Sequence, residues 1–157
     1  MNVTGDGVFN FIDLAFGFHV TATSGLRIKD NSLNLNGTLS TTNANGLEDL
    51  GMTIQEWVGT ALVTDPSTPG FISSEVSALN GVNTSTGLIS STFSPQTDLF
   101  VTKDILVWAT NIGETASLLD FTQRFSQVNN VPEPGTLALL ISTLAVLSFG
   151  RLHRGKH

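Results

Sequence analysis

Between residues 8 and 130 the chain consists of short apolar runs separated by glycine, asparagine, serine and proline. Runs this short, interrupted this often by residues that favour turns, are typical of strands rather than helices. Several runs also alternate apolar and polar residues with a period of two, the spacing of one face of a strand. The pattern predicts a mainly β domain over residues 1–130. We expect an antiparallel β-sandwich of the jelly-roll or immunoglobulin-like kind.

The first half of this region yields three local predictions. Residues 8–20 resemble strand material. Alternating apolar residues over 25–39 predict two strands, with 29–32 as a hairpin connection between them. Residues 47–62 predict the single helix that we expect in the domain, although Gly51 and Gly59 weaken it.

The second half predicts two further strands. Residues 100–109 are rich in β-branched and aromatic residues and predict a well-buried strand. Residues 116–128 alternate again, with Leu119, Phe121 and Phe125 on one face. Because a turn signal at 111–113 separates the two stretches, we expect them to pair as a hairpin.

The charge of the chain limits its partners. Residues 1–130 contain 4 Lys and Arg against 12 Asp and Glu, a net charge of −8, whereas residues 131–157 contain 3 against 1. A domain this acidic has no basic patch with which to neutralise phosphates, so we expect no nucleic-acid partner. The chain has no cysteine, which excludes disulfides, thiolate metal sites and cysteine nucleophiles.

The last 27 residues differ in composition from the rest. Two prolines around one residue can neither continue a strand nor lie deep within a helix, so the motif Val131, Pro132, Glu133 and Pro134 ends the domain. An uncharged stretch then predicts a transmembrane helix at about 136–150, followed by a basic tail at 151–157. The apolar residues of the predicted helix are Leu137, Leu139, Leu140, Ile141, Leu144, Val146, Leu147 and Phe149, and the cations of the tail are Arg151, Arg154 and Lys156.

The predicted helix is short for a membrane. The uncharged stretch 135–150 has sixteen residues, which at about 1.5 Å each span roughly 24 Å, against a hydrocarbon core of about 30 Å. Bilayer thinning and extension of Arg151 to the headgroups would accommodate the difference. Cations favour the cytoplasmic side, which predicts that the domain before Pro132 lies outside. The alternative is that 137–149 is a buried helix of the domain.

The order of proline motif, apolar helix and basic end closely resembles the PEP-CTERM sorting signal of exopolysaccharide-producing Gram-negative bacteria and cyanobacteria. The resemblance covers residues 131–157. It implies recognition by an exosortase, a membrane-embedded cysteine protease or transpeptidase, and cleavage near Val131–Pro134. It also implies the inner membrane as the first location, the cell surface or exterior as the second, and a link to exopolysaccharide or biofilm.

Export requires a leader, and residues 1–6 contain neither a basic n-region nor an apolar stretch. We therefore expect the natural start of the protein to lie upstream of Met1. The alternative is that the chain is not exported by that route.

Residues that could carry catalysis show no selective pattern. His19 is the only histidine before residue 131, and between Phe18 and Val20 it is expected to be a strand residue rather than part of a Ser-His-Asp triad. Carboxylates for glycoside hydrolysis could come from Glu48, Asp49, Glu56, Asp65 or Glu75, but their spacing selects no pair. We expect no catalytic residue and no cofactor.

Candidate ligand sites are equally weak. Residues 30–37 offer oxygen ligands at alternate positions, but they lack the glycine and the closing glutamate of an EF-hand loop, so a turn is expected there and no metal site. Trp57, Trp108 and the ten phenylalanines could stack on sugars, yet in a chain without tyrosine we expect them mostly in the core.

The sequence therefore favours a non-enzymatic surface or matrix β-domain that a C-terminal signal sorts and processes. Two alternatives remain open at this point: an extracellular glycan-active enzyme, and a carbohydrate- or calcium-binding module. A buried, close pair of carboxylates in a cleft would favour the enzyme, whereas an exposed row of Trp and Phe would favour the binding module.

Overall fold

The computed structural model describes residues 1–61 and 70–129. Every regular element in these residues is a β-strand, and the strands form two antiparallel sheets, which confirms a mainly β, antiparallel fold. The sheet that we call the front sheet has the order β1-β9-β3-β7, and the back sheet has the order β2-β8-β4-β5-β6. The strands are β1 (Asn2–Thr4), β2 (Asn10–Thr21), β3 (Leu26–Thr41), β4 (Asp49–Gly59), β5 (Ile72–Leu79), β6 (Val82–Ser85), β7 (Ile89–Gln96), β8 (Asp98–Ala109) and β9 (Glu114–Asn129).

The sorting motif, the predicted transmembrane helix and the basic tail all lie outside the described residues. Within residues 1–61 and 70–129, no helix has the length and apolar character needed to cross a membrane.

The core lies between the inner faces of the two sheets and is divided into two apolar clusters. The larger cluster contains residues such as Leu33, Ile54 and Val107, and the smaller one is centred on Ile28 and Val101. Along β3, β4 and β8, one polar residue separates the positions that belong to the two clusters. A polar layer therefore crosses the interior of the sandwich.

The helix expected over 47–62 is wrong, because residues 49–59 form β4. This strand is central in the back sheet and pairs with β8 on one side and β5 on the other. Gly51 is required by this packing, since a Cβ there would lie 2.6 Å from the ring of Trp108 and 2.6 Å from the Cβ of Ser77. Tertiary pairing, not local helix propensity, decides the conformation.

The hairpin connection expected at 29–32 is also wrong, because β3 runs without a break from Leu26 to Thr41. The pairing with β9 skips Lys29, which is a β-bulge. A bulge inserts one extra residue and shifts the apolar alternation by one position. In the sequence, that shift resembles the end of one strand and the start of another.

The hairpin expected between the last two strands is wrong as well. β8 lies in the back sheet and β9 in the front sheet, so the chain crosses between the layers at residues 110–113. Gly113 has a φ of 83°, and the N–H of Glu114 donates to the carbonyl oxygen of Asn111 across this turn. The prediction that 100–109 form a well-buried strand is confirmed, since every second residue of β8 is buried.

Among the described strands, β2 is an edge of the back sheet and pairs only with β8. Its register places Ile12, Leu14 and Phe16 on the same side as the buried residues of β8, yet each of them is more than a third exposed. The reason is that β1, the outer strand of the front sheet, has only three residues and pairs with residues 115–117 of β9. The sandwich is therefore open along this edge.

Candidate functional site

The polar layer is built around a lysine and a glutamate that face each other in the back sheet. Glu56 of β4 and Lys103 of β8 are direct register partners on the inner face. The Nζ atom of Lys103 donates a hydrogen bond to Oε2 of Glu56, and the two residues are 1% and 0% exposed. Neither charged group is accessible to solvent, so each depends on the other for stabilisation.

Asn31 of β3 completes the layer from the front sheet and is also fully buried. Its Nδ2 donates to Oε1 of Glu56 at 2.7 Å and to the carbonyl oxygen of Gly70 at 2.9 Å. Because both neighbours can only accept hydrogen bonds, they fix which side of the carboxamide carries the nitrogen. Within residues 1–61 and 70–129, the Oδ1 atom of Asn31 is then left without a hydrogen-bond partner.

Aromatic side chains enclose the layer. The Nζ atom of Lys103 lies 4.9 Å from the ring centroid of Phe121. Phe16 is the β2 register partner of Lys103, and Phe125 is the β9 register partner of Asn31. Burial lowers the pKa of Lys103 below its ordinary value, and the nearby Glu56 carboxylate opposes that change. The structure thus holds an amine, a carboxamide and a carboxylate together in an apolar enclosure.

The other buried carboxylate, Glu114, has a different role. Its two oxygens accept hydrogen bonds from the backbone N–H groups of Glu48, at 2.6 Å, and Asp49, at 3.4 Å. These bonds hold the start of β4 against the start of β9, which supports the fold and leaves no free carboxylate for chemistry.

The carboxylates considered for glycoside hydrolysis are not brought together as a buried pair in the described part of the chain. Glu56 is paired with Lys103, Glu48 and Asp49 lie at one end of the sandwich around a surface pocket, and Glu75 lies on β5. Asp65 is outside the described residues. These five residues therefore supply no buried pair of carboxylates in the part of the chain that the structure describes.

His19 is a strand residue, as expected. It lies on β2 with its side chain 47% exposed, and its ring contacts Phe100 at a centroid distance of 4.8 Å. Its Nε2 is 3.6 Å from Oδ1 of Asp98. Among the described residues we find no serine hydrogen-bonded to it, so these residues do not form a Ser-His-Asp triad.

The turn expected at 30–37 is wrong, since these residues lie within β3. Side chains at alternate positions of a strand share one face but are spaced about 6.5 Å apart along it, so the oxygen-bearing residues of this stretch do not converge on one point. In residues 1–61 and 70–129 there is also no group of three or more His, Asp and Glu side chains that could hold a metal ion.

The aromatic residues are less buried than expected. Phe9 and Phe11 are both more than half exposed, with ring centroids 5.5 Å apart. Phe11 is the register partner of Trp108 on the outer face of the back sheet, where the indole lies over Gly51. These three rings form an exposed aromatic group, which we call the aromatic platform (Phe9, Phe11 and Trp108).

Sequence reasoning named Glu56 but did not single out Lys103 or Asn31. A signal was available for the lysine. In residues 100–109 the apolar alternation places Lys103 on the same face as Val101, Ile105 and Val107, which predicts a buried amine. The alternation around Leu33 and Leu35 would likewise have placed Asn31 inside.

Comparisons of the whole chain with known protein families, with curated proteins and with solved structures found no match.

Proposed function

We propose that the chain is a non-enzymatic surface or matrix protein whose β-domain is exported, sorted and processed through a C-terminal PEP-CTERM signal. The observation that carries the proposal is the order of the last 27 residues: Val131-Pro132-Glu133-Pro134, an uncharged stretch and a basic end. An exosortase would be the processing enzyme and exopolysaccharide the surrounding material. The full architecture would be a jelly-roll or immunoglobulin-like sandwich followed by a transmembrane helix at about 136–150.

The described domain offers further support. Its strands stack into two layers with a continuous set of buried side chains, so residues 1–129 can stand as a folded unit before the signal. The buried carboxylates are occupied by Lys103, Asn31 and backbone N–H groups of the domain itself, so neither is free to act on a bound substrate.

The test is to express the full open reading frame in a host with and without an exosortase and to determine the C-terminus of the mature protein by mass spectrometry. We expect cleavage near Val131–Pro134 only when the enzyme is present. A variant with Pro132→Ala, Glu133→Ala and Pro134→Ala should stay intact, whereas Val128→Ala, just upstream of the motif, should be cleaved normally. An intact C-terminus at His157 in both hosts would overturn the proposal.

The aromatic platform favours a second candidate function, which is carbohydrate binding. Exposed aromatic rings on the flat face of a sheet can pack against the apolar face of a sugar ring. The purified chain would be tested in depletion assays with insoluble β-glucan and with chitin. Phe11→Ala should abolish any depletion, whereas Phe100→Ala, which removes an exposed ring elsewhere on the same face, should not. Equal retention of both variants and wild type would exclude the platform as the binding surface.

A further inference from the structure

We propose that Lys103 and Asn31 react with each other to form an intramolecular isopeptide bond that joins the two sheets, with Glu56 as the proton acceptor and donor. The proposal goes beyond the sorting function, because all three residues lie inside the described sandwich.

Lys103 and Asn31 are held close together by a shared partner. One carboxylate, that of Glu56, contacts both reactants, with Oε1 accepting from Nδ2 of Asn31 at 2.7 Å and Oε2 accepting from Nζ of Lys103. The two oxygens of a carboxylate share a carbon atom, so the amine and the carboxamide are both within hydrogen-bond reach of one small group. Rigid strands that hold two reactants beside the same group let them react as an effectively unimolecular pair.

The surroundings of Lys103 also favour the reaction. An amine is nucleophilic only when it is neutral, and burial favours the neutral form of Lys103. Glu56 is positioned to accept the proton that the ammonium group releases. The apolar clusters on both sides of the layer, together with Phe121 and Phe125, bury Lys103 and Glu56 almost completely, which limits the hydration of either group.

Oδ1 of Asn31 accepts no hydrogen bond from any residue that the structure describes. A buried carbonyl oxygen without a hydrogen bond is costly in a folded protein. When the amine attacks, negative charge develops on this oxygen. A turn of the Asn31 side-chain amide about its Cβ–Cγ bond would bring the oxygen to the carboxyl group of Glu56, which is then protonated and can donate to it. The interaction would be made only during the reaction, which is the kind that accelerates a chemical step.

The reaction balances without any added reagent. The Lys103 ammonium transfers a proton to Glu56, and the neutral Nζ attacks Cγ of Asn31 to form the new N–C bond. The Cγ–Nδ2 bond then breaks, and Nδ2 takes up the second Nζ proton, relayed by Glu56, to leave as ammonia. Ammonia finally receives the proton first released to Glu56 and departs as ammonium. One secondary amide forms, the carboxylate of Glu56 is regenerated, and the chain loses the mass of one ammonia molecule.

Intact mass spectrometry of the purified chain, unfolded in denaturant, measures this loss directly. A protease that cleaves after glutamate then shows where the bond lies. Its cuts at Glu48, Glu75 and Glu114 place Asn31 in fragment 1–48 and Lys103 in fragment 76–114. We expect these two fragments to remain joined. A full-mass chain that yields two separate fragments would overturn the proposal.

The joined fragments also exclude another source of the same mass loss. Asn-Gly sequences such as Asn36-Gly37 and Asn80-Gly81 can lose ammonia by forming a cyclic imide, but an imide joins no fragments. Lys103→Met should restore the full mass and separate the fragments, whereas Lys29→Met, which removes an exposed lysine of β3, should leave the bond intact.

Two further variants test the roles of Glu56 and Asn31. Glu56→Gln keeps both reactants and should prevent the bond from forming. Asn31→Asp should still form it, with loss of water instead of ammonia, so its cross-linked product should have the same mass as that of the wild type. If Glu56→Gln cross-links as completely as the wild type, Glu56 is not the proton carrier. Since none of these masses depends on the C-terminal signal, this test can fail or succeed independently of the exosortase experiment.

Discussion

Leu118 and Leu119 are neighbours in β9, yet the first is 6% exposed and the second 61%. The pairing with β3 explains the difference, because Asn36 pairs with Asp120 and Gly37 pairs with Leu118, so that Leu119 has no partner. Leu119 is the extra residue of a β-bulge, which turns its side chain away from the core.

The two leucines form a matched pair for mutation. Leu118→Ala should lower the free energy of unfolding by about 2–5 kcal/mol, because it removes buried methyl groups and leaves a cavity. Leu119→Ala should change it by less than about 0.5 kcal/mol. Urea unfolding followed by circular dichroism measures both. Equal losses of stability for the two variants would show that Leu119 is as buried as Leu118, which contradicts the β-bulge.

Gly51→Ala should destabilise the domain by about 1–3 kcal/mol, since the added methyl group would collide with Trp108 and with Ser77. The tryptophan fluorescence of the folded protein should also shift as the indole moves. Thr84→Ala lies in the same cross-sheet row on an exposed strand and serves as the control. A Gly51→Ala variant with wild-type stability and fluorescence would contradict the close packing of Gly51 against Trp108 and Ser77.

Asp13 and Asp104 lie on the outer face of neighbouring strands. Partial burial, a hydrogen bond with Asp13 and repulsion by its charge raise the pKa of Asp104. The folded state therefore binds this proton more tightly than the unfolded state, so stability falls as pH rises through the raised pKa, and the repulsion is complete above it. Asp13→Asn should stabilise the protein at pH 7 by a few tenths of a kcal/mol, about the size of other cross-strand charge effects.

The gain from Asp13→Asn should disappear at about pH 3, because Asp104, whose pKa is raised, is then protonated and carries no charge to repel its neighbour. Thermal unfolding at the two pH values measures the difference. An equal gain in stability at the two pH values would show that the gain does not come from charge repulsion. Asp120→Asn, on a different sheet, controls for the change in net charge.

Glu56→Ala, which also removes the proton carrier of the proposed isopeptide bond, should cost at least about 3–5 kcal/mol, because it leaves the Lys103 ammonium buried without a partner. The double variant Glu56→Leu with Lys103→Met removes both charges and keeps similar volumes, so it should lose less stability than Glu56→Ala alone. Denaturant unfolding compares the two. A double variant that is the less stable of the pair would show that the charges themselves stabilise the fold.

The sequence was most informative where one strand kept a single alternation. Residues 100–109 and the run through Leu33 and Leu35 were predicted correctly because burial on one face dictates the residue at every second position. The predictions failed where the alternation shifts. The bulge at Lys29 resembled a turn, and the bulge at Leu119 placed that leucine on the wrong face.

Long-range pairing could not be predicted in the same way. Nothing local in residues 47–62 requires them to pair with both β5 and β8, and nothing in residues 100–128 shows that the chain changes sheets at the turn. For the same reason Glu56 could be named as a carboxylate but not as the partner of Lys103, which is 47 residues away. The polar layer exists only after the two sheets have stacked.

The pairing of β9 with β3 has a mechanical consequence. It extends over fifteen residue pairs, from Thr41 with Glu114 to Leu26 with Asn129. Hydrogen bonds between antiparallel strands are perpendicular to the strands, so tension applied at residue 130 along β9 would shear these bonds together instead of opening them one at a time. If the domain is tethered through its C-terminal segment, drag from its surroundings would load the β3–β9 ladder, the longest among the described strands. Forced unfolding is slowest when a ladder is loaded in shear.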